Sequence, residues 1–321
     1  MLVGSNKKIL QNKNKPKIIF SDGKNPLLQQ AIESLKNYID PIILFKNEND
    51  IPKNFTFKTI AIDTIDLNEY VQFFHTLSKK KINFQRAKFL VKQPNCLSTL
   101  MLKMHKIDAQ ISGLNFFSKD VIKPAIEILK KNKNDFISSI CVLEKNKELM
   151  IFSDCGLNIS PNYQQRAKIA MMACDFAKNI LKIKKPICSF LSYSTNNSGK
   201  GKLVDDVKKS CLLAKQMAQK TNYEFYGEIQ FDAAYNQQIR TKKIKNCQWK
   251  TKPNVYIFPE LNSANIGYKI AQQLGGYKCY GPILLGLSSP ISDLSRGATV
   301  EDIIGTIILT IMQIKKNKRA S

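Results

Sequence analysis

The chain has 321 residues, of which 43% are hydrophobic. This composition excludes wholesale disorder, and the length allows two domains or one large α/β domain. The net charge is +25. No run of about 18 uncharged apolar residues occurs, and residues 1–17 lack the apolar core of a signal peptide, so we expect a cytoplasmic protein without contact to a membrane.

The order of predicted elements along the chain alternates between apolar runs and helical patterns. Strands are predicted at residues 17–20, 41–45, 59–62, 109–112, 136–143, 149–152, 186–191, 226–230, 255–258 and 280–284. Helices are predicted at residues 26–38, 67–79, 84–91, 96–105, 120–130, 164–181, 205–219, 232–242, 265–274 and 299–314. This order predicts mainly parallel sheets with helices on both faces, in two α/β domains that divide near residues 130–135.

The strong positive charge raises nucleic-acid binding as one hypothesis. Only five of the 50 basic residues are arginines, and the lysines are spread evenly, which is typical of a solvated surface. No motif of a known nucleic-acid-binding fold is present. A basic nucleic-acid-binding or scaffold protein therefore stays an alternative, and we expect no specific nucleic-acid partner.

Cysteine and histidine usage bears on metal and nucleophile chemistry. The eight cysteines form no CxxC pair, and only two histidines occur. We expect reduced, mostly buried thiols, no metal site and no Ser-His-Asp triad. Cys155 has no histidine that the sequence can pair with it, so we interpret it as a wall residue of a cleft rather than a nucleophile.

Residues 192–201 (SYSTNNSGKG) form a polar loop between a predicted strand and a predicted helix. Glycines and a helix start favour a bound anion, so the loop predicts a phosphate site, with a flexible connector as the alternative. It is not a Walker A loop, because Gly201 follows Lys200 where that motif has Ser or Thr. Two other loops lie where ligands bind in such folds, at Ser112-Gly113 and at Asp154-Cys155.

Several longer motifs resemble the phosphate acetyltransferase (phosphotransacetylase) family, within the phosphate acetyl/butyryltransferases. They are residues 254–270 (NVYIFPELNSANIGYKI), 281–297 (GPILLGLSSPISDLSRG), 192–201, 154–158 (DCGLN), 227–234 (GEIQFDAA), 20–23 (FSDG) and 108–113 (DAQISG). They span nearly the whole chain in order.

The resemblance implies reversible acetyl transfer between acetyl-CoA and inorganic phosphate, giving acetyl phosphate and CoA. It implies an isocitrate-dehydrogenase-like fold of two α/β domains with the active site in the cleft between them, and a homodimer. It implies no metal and no bound cofactor, because coenzyme A is a substrate. We assign residues 1–134 with 286–321 to one domain and residues 135–285 to the other.

A phosphate butyryl- or propionyltransferase is the nearest alternative, since acyl length depends on pocket shape. A nicotinamide-dependent dehydrogenase is disfavoured, because no GxGxxG opens an early βα turn.

The resemblance places the reacting groups on Ser295, Arg296 and Asp302. Asp302 is similar to the family's base, Ser295 would position the thiol and donate to the oxyanion, and Arg296 would bind phosphoryl oxygens. Each residue also has a purely structural interpretation. Asp302 would form a capping box with Thr299, Ser295 would serve a turn, and Arg296 would form a surface ion pair.

Residues that we expect to bind CoA or phosphate lie on several segments. They are Ser112, Gly113, Lys123, Ser192, Ser194, Thr195, Ser198, Gly199, Lys200, Gly201, Asn265 and Lys269. Two positions depart from the family pattern, because Ser78 and Lys123 stand where the family has arginines. We expect weaker substrate binding, with the chemistry intact.

Overall fold

The computed structural model describes residues 14–79, 81–132, 134–245, 247 and 249–320, with the backbone alone for residues 317–320. The chain divides into two compact units. The first consists of the described residues up to Asp135 together with those from Gly286 onward, and the second is Phe136–Leu285.

The described residues form eleven strands and eleven α-helices. The strands are β1 (Lys17–Phe20), β2 (Asp40–Phe45), β3 (Lys58–Ala61), β4 (Ala109–Ser112), β5 (Ser138–Lys145), β6 (Glu148–Ser153), β7 (Ile187–Leu191), β8 (Glu224–Ile229), β9 (Val255–Ile257), β10 (Lys278–Leu285) and β11 (Ile291–Asp293). The helices are α1 (Pro26–Leu35), α2 (Asn68–Leu77), α3 (Phe84–Val91), α4 (Pro94–Lys103), α5 (Ser118–Leu129), α6 (Tyr163–Asn179), α7 (Lys202–Met217), α8 (Phe231–Tyr235), α9 (Gln237–Lys243), α10 (Leu261–Gln273) and α11 (Val300–Ala320).

The sheet of the first unit has the order β3-β2-β1-β4-β11, and every neighbouring pair is parallel. Parallel strands are buried on both faces and therefore read as continuous apolar runs, as in Ile18, Ile19 and Phe20, which are all fully buried. The register pairs Phe20 with Ile111 and Asp293 with Ser112. The carboxyl ends of β1, β4 and β11 consequently meet at one edge of this sheet.

The sheet of the second unit has the order β10-β5-β6-β9-β7-β8. Strands β6, β9, β7 and β8 are parallel, whereas β10 and β6 both run antiparallel to β5. The β5–β6 hairpin turns through Asn146 and Lys147, which both have positive φ (50° and 68°), as its tight turn requires. The α/β prediction with mainly parallel sheets is confirmed, with an antiparallel portion that the strand order along the chain did not reveal.

Two local differences from the predicted elements have clear causes. The single helix expected at residues 232–242 is two short helices, because Asn236 takes an extended conformation and its side chain accepts from the backbone N–H groups of Gln238 and Ile239. Strand β11 was not predicted, since two of its three residues are polar; its pairing with β4 makes it a strand.

Within the described ranges, none of the helices is long and apolar enough to cross a membrane. Among the same residues, no group of three or more His, Cys, Asp or Glu side chains is placed to hold a metal ion. All eight cysteines are free thiols, and all except Cys247 are buried.

Candidate active site

Three loops leave the first unit's sheet at the carboxyl ends of β1, β4 and β11. The backbone N–H of Leu294 donates to the Ser112 carbonyl at 2.6 Å, which ties the β11 loop to the end of β4. Gly113 has φ +125°, and a Cβ there would lie 2.3 Å from the Leu294 carbonyl oxygen and 2.5 Å from Asp293 Oδ1. Only glycine fits this approach. The structure therefore brings the predicted residues Ser112 and Gly113 next to the segment that carries Ser295 and Arg296.

Asp22, which follows β1, organises the β4 loop. Its carboxylate accepts from the backbone N–H groups of Gly113 at 2.9 Å and of Asn115 at 2.7 Å. The side chain is almost fully buried, and this burial raises the pKa of Asp22 to about 6 even though backbone hydrogen bonds work in the other direction. Asp22 lies in the motif of residues 20–23, but no role was predicted for it. A carboxylate two residues after a buried parallel strand was the signal that could have indicated one.

Asp293 ends β11 and is a second buried carboxylate that sequence reasoning missed. Its Oδ1 makes no hydrogen bond within the described part of the chain. Burial raises the pKa of Asp293 to about 6; the Ser118 side chain partly counteracts this rise, and the charge of Asp22 adds to it. Two carboxylates with raised pKa values therefore flank Gly113, one from each neighbouring strand end.

Ser295 and Arg296 lie on the turn that follows Asp293. The carbonyl oxygen of Ser295 accepts from the N–H of Ala298 at 3.0 Å, and its Oγ accepts from the N–H of Gly297 at 3.4 Å, so Ser295 does serve a turn. Arg296 is exposed, and its Cζ lies 5.0 Å from the ring centroid of Phe117. The β4 loop and the β11 loop thus contact each other through a guanidinium and an aromatic ring.

Asp302 lies in the first turn of α11 and is 2% exposed. Its Oδ2 accepts from the N–H of Thr299 at 3.0 Å and from the hydroxyl of Thr299 at 2.9 Å, and the same hydroxyl accepts from the N–H of Asp302 at 3.2 Å. This is the capping box that the sequence offered as the structural interpretation. The role of Asp302 as a base stays a prediction.

Lys123 lies on α5 and lines a cavity of about 500 Å³ in the first unit. Arg86 and Lys119 line the same cavity, and two acidic residues, Asp120 and Glu127, also reach it. Ser78, the other departure from the family pattern, caps α2 and donates its hydroxyl to the His75 carbonyl at 2.8 Å. The guanidinium that lines this cavity is that of Arg86, because positions 78 and 123 carry serine and lysine.

The loop of residues 192–201 makes most of its contacts within itself and with Glu228, which is 6% exposed. Seven of its backbone N–H groups, those of Ser192 and of residues 194–199, already have partners inside the protein, and the three shortest bonds to side chains show the pattern. These bonds run from Thr195 N to Ser198 Oγ at 2.9 Å, from Asn197 N to Glu228 Oε1 at 2.7 Å and from Gly199 N to Ser194 Oγ at 2.9 Å. An anion at this loop would have to use other donors, such as the exposed Lys200, and the predicted phosphate contact of Ser192–Gly201 stays a prediction.

Asn265 and Lys269 lie on α10 in the second unit. The Asn265 side chain donates to the Cys155 carbonyl at 3.3 Å, and Lys269 is exposed with its Nζ 5.2 Å from the Tyr268 ring. Cys155 is fully buried within this unit's hydrophobic core, so it is a core residue and not the cleft-wall residue that we expected. Burial raises the pKa of its thiol, which makes a nucleophilic role still less favourable.

Comparisons with known proteins agree with the motifs. The family model described as phosphate acetyl/butaryl transferase matches residues 5–311. The phosphate acetyltransferase of Mycoplasma capricolum subsp. capricolum is 40% identical over 308 residues, covering 92% of this chain and 94% of the relative. A solved phosphotransacetylase from Streptococcus pyogenes aligns with a TM-score of 0.85 at 32% identity, and the EutD phosphotransacetylase from Staphylococcus aureus with a TM-score of 0.82 at 33% identity; each alignment covers 98% of both chains. The chain therefore belongs to the phosphate acetyl/butaryl transferase family.

Proposed function

We propose that this chain is an acyltransferase that moves an acetyl group reversibly between coenzyme A and inorganic phosphate. The observation that carries the proposal is the family match over residues 5–311, within which the three candidate reacting residues fall in one segment after β11. CoA enters as a substrate, and the proposed reaction uses neither a metal nor a bound cofactor.

The chemistry requires a thiolate and a stabilised leaving group. In the direction of acetyl-CoA synthesis, the CoA sulfur bonds to the acetyl carbon of acetyl phosphate, and the carbon–oxygen bond to phosphate then breaks. A free thiol has a pKa of about 8.5, so a carboxylate that takes its proton increases the reactive fraction. Asp302 takes this role in the proposal. Arg296 binds the phosphoryl oxygens, and Ser295 donates to the oxyanion.

The capping box of Asp302 is compatible with this role. The contacts with Thr299 run through Oδ2. The cap holds the carboxyl group at the start of α11, six residues after Arg296, and a fixed position favours proton transfer at a defined point. Replacing Asp302 by Asn keeps an oxygen that can accept from Thr299 while removing the ability to take a proton.

The test is an assay of the purified protein for phosphate-dependent breakdown of acetyl-CoA, followed through release of the CoA thiol. We expect turnover by the unaltered chain, and Asp302→Asn should lower kcat by about 10²-fold or more with KM nearly unchanged, since general-base catalysis contributes about 10²–10⁴-fold. Glu301→Gln is the matched control, because Glu301 lies on the same helical turn and is exposed. Absence of turnover by the unaltered chain would refute the activity. Near-normal kcat in Asp302→Asn would refute only the base.

The relatives support acetyl over longer acyl groups. The Mycoplasma relative is a phosphate acetyltransferase, and the two solved neighbours are phosphotransacetylases. A phosphate butyryl- or propionyltransferase is not favoured. A nucleic-acid-binding or scaffold protein is not favoured either. Turnover with butyryl-CoA beside acetyl-CoA measures acyl preference directly. The homodimer and the cytoplasmic location are part of the proposal and stay predictions.

A further inference from the structure

Two cations of the first unit face one aromatic ring. Phe117, the residue before α5, has 58% of its surface exposed. The Cζ of Arg296 lies 5.0 Å from its ring centroid, and the Nζ of Lys119 lies 5.4 Å from it. Both distances are within the range in which a cation is attracted to the face of an aromatic ring.

Among the described residues neither Arg296 nor Lys119 forms an ion pair. Both side chains are exposed, so their mutual repulsion is weak and both remain accessible to a ligand. An anion that contacts both cations would remove the repulsion and gain two charge-assisted hydrogen bonds.

Hydrogen bonds to the main chain fix the backbone on both sides of Phe117. The Asp22 carboxylate holds the turn that leads to Phe117 through the N–H groups of Gly113 and Asn115. On the other side, the Phe117 carbonyl accepts from the N–H of Asp120 at 2.8 Å in the first turn of α5. The exposed ring is therefore fixed at its backbone on both sides, which gives Arg296 and Lys119 a defined common neighbour.

Lys119 also connects the ring to the cavity of about 500 Å³ described above. Lys123 and Arg86 line this cavity as well, beside the acidic Asp120 and Glu127, so three cations and two carboxylates surround a space that is large enough for a ligand. Cations around an aromatic ring are suited to bind a phosphate-bearing molecule.

We infer that Lys119 is a further substrate-binding residue, which binds a phosphate group together with Arg296, and that Phe117 is the positioning residue for both cations. The identity of the phosphate rests on the proposed function: it belongs either to inorganic phosphate and acetyl phosphate or to coenzyme A. Calorimetric titration of the purified chain with inorganic phosphate, with CoA and with dephospho-CoA distinguishes these sources without requiring turnover.

Three variants test the assignment. Lys119→Gln removes the ammonium at similar length, Phe117→Leu removes the ring, and Phe117→Tyr restores a ring. The matched control is Lys178→Gln on α6, because the Nζ of Lys178 also lies 5.4 Å from an aromatic ring, that of Tyr223, in the other unit. Circular dichroism of each variant establishes that it is folded before binding is compared.

We expect Lys119→Gln to weaken binding of one phosphate-bearing ligand about tenfold, which corresponds to the loss of one hydrogen bond to a charged group. Phe117→Leu should weaken binding of the same ligand and also lower kcat, since Arg296 loses its neighbour. Phe117→Tyr should recover both the binding and kcat.

The ligand whose binding is weakened identifies the phosphate group. Weaker binding of inorganic phosphate assigns the site to that substrate, and weaker binding of CoA but not of dephospho-CoA assigns it to the CoA 3′-phosphate. Unchanged binding of all three ligands in Lys119→Gln, equal to the Lys178→Gln control, would overturn the inference. A chain that binds these ligands but shows no turnover would refute the proposed function and leave this inference standing.

Discussion

Replacing Asp293 by Asn should make the stability of the protein respond differently to pH. Burial raises the pKa of Asp293 from 3.8 to about 6, with the Asp22 charge as a further cause, and only 3% of the residue is exposed. A shift of about two pH units corresponds to about 3 kcal/mol of unfolding free energy, at about 1.4 kcal/mol per unit. This is the penalty for keeping the charged carboxylate buried.

The direction of the effect follows from proton linkage. Because the folded state holds the proton more tightly than the unfolded chain, the wild-type protein loses stability as the pH rises from about 4 to about 6 and carries the full penalty above that range. Asn cannot ionise. The difference in unfolding free energy, variant minus wild type, should therefore rise by up to about 3 kcal/mol between pH 4 and pH 7. A buried amide that lacks a partner would add a constant to this difference but would not change its slope.

Urea unfolding at one-unit steps from pH 4 to pH 8 measures this difference. The control is Asp232→Asn, because the hydrogen bond from Lys243 lowers the pKa of Asp232 in the folded state. The folded-state pKa of Asp232 lies below 3.8, so this carboxylate is ionised in both states over most of the range, and the difference for Asp232→Asn should stay nearly flat above about pH 5. A difference for Asp293→Asn that stays flat across the range would refute the argument that burial raises the pKa of Asp293.

Three further outcomes follow from the described contacts. Arg296→Gln should lower turnover and raise the KM for phosphate about tenfold in steady-state kinetics, because a charged, planar donor pair is lost; a normal KM would contradict its role. Gly113→Ala should lower the free energy of unfolding by about 2–4 kcal/mol in urea, since its φ is +125° and the added Cβ would lie 2.3 Å from a carbonyl oxygen. Arg240→Met should destabilise the second unit by about 3 kcal/mol or more in thermal unfolding, because the fully buried Arg240 donates to four backbone carbonyls. The control is Lys242→Met, at an exposed position on the same helix. Equal losses of stability in the two variants would contradict the role of Arg240.

The apolar pattern was sufficient to predict most elements. Strand β4 and helix α3 have the predicted bounds, and most other elements differ by a few residues at an end. Periodicity succeeds here because buried parallel strands are continuously apolar and amphipathic helices repeat every 3.6 residues. It failed at β11, whose residues are mostly polar, and at Asn236, where a side-chain cap competes with the continuous helix.

The candidate site also has a part that the sequence predicted and a part that it did not. The sequence could bring together Ser295, Arg296 and Asp302, because they are near neighbours along the chain and the family motif covers them. It also offered the capping box of Asp302, because that motif spans only four residues.

What the sequence determined by itself was therefore local: the apolar runs, the caps, the polar loops at strand ends and, through its motifs, the family. Only the tertiary structure shows that Asp22, Gly113 and Asp293 meet. Asp22 and Gly113 are 91 residues apart, and the pairing of β1 with β4 brings them together, whereas the pairing of β11 with β4 adds Asp293. The tertiary structure also decided that Arg296 and Lys119 face the ring of Phe117. The physical reason is that strand order and register are set by burial across the whole sheet, which no local pattern of residues encodes.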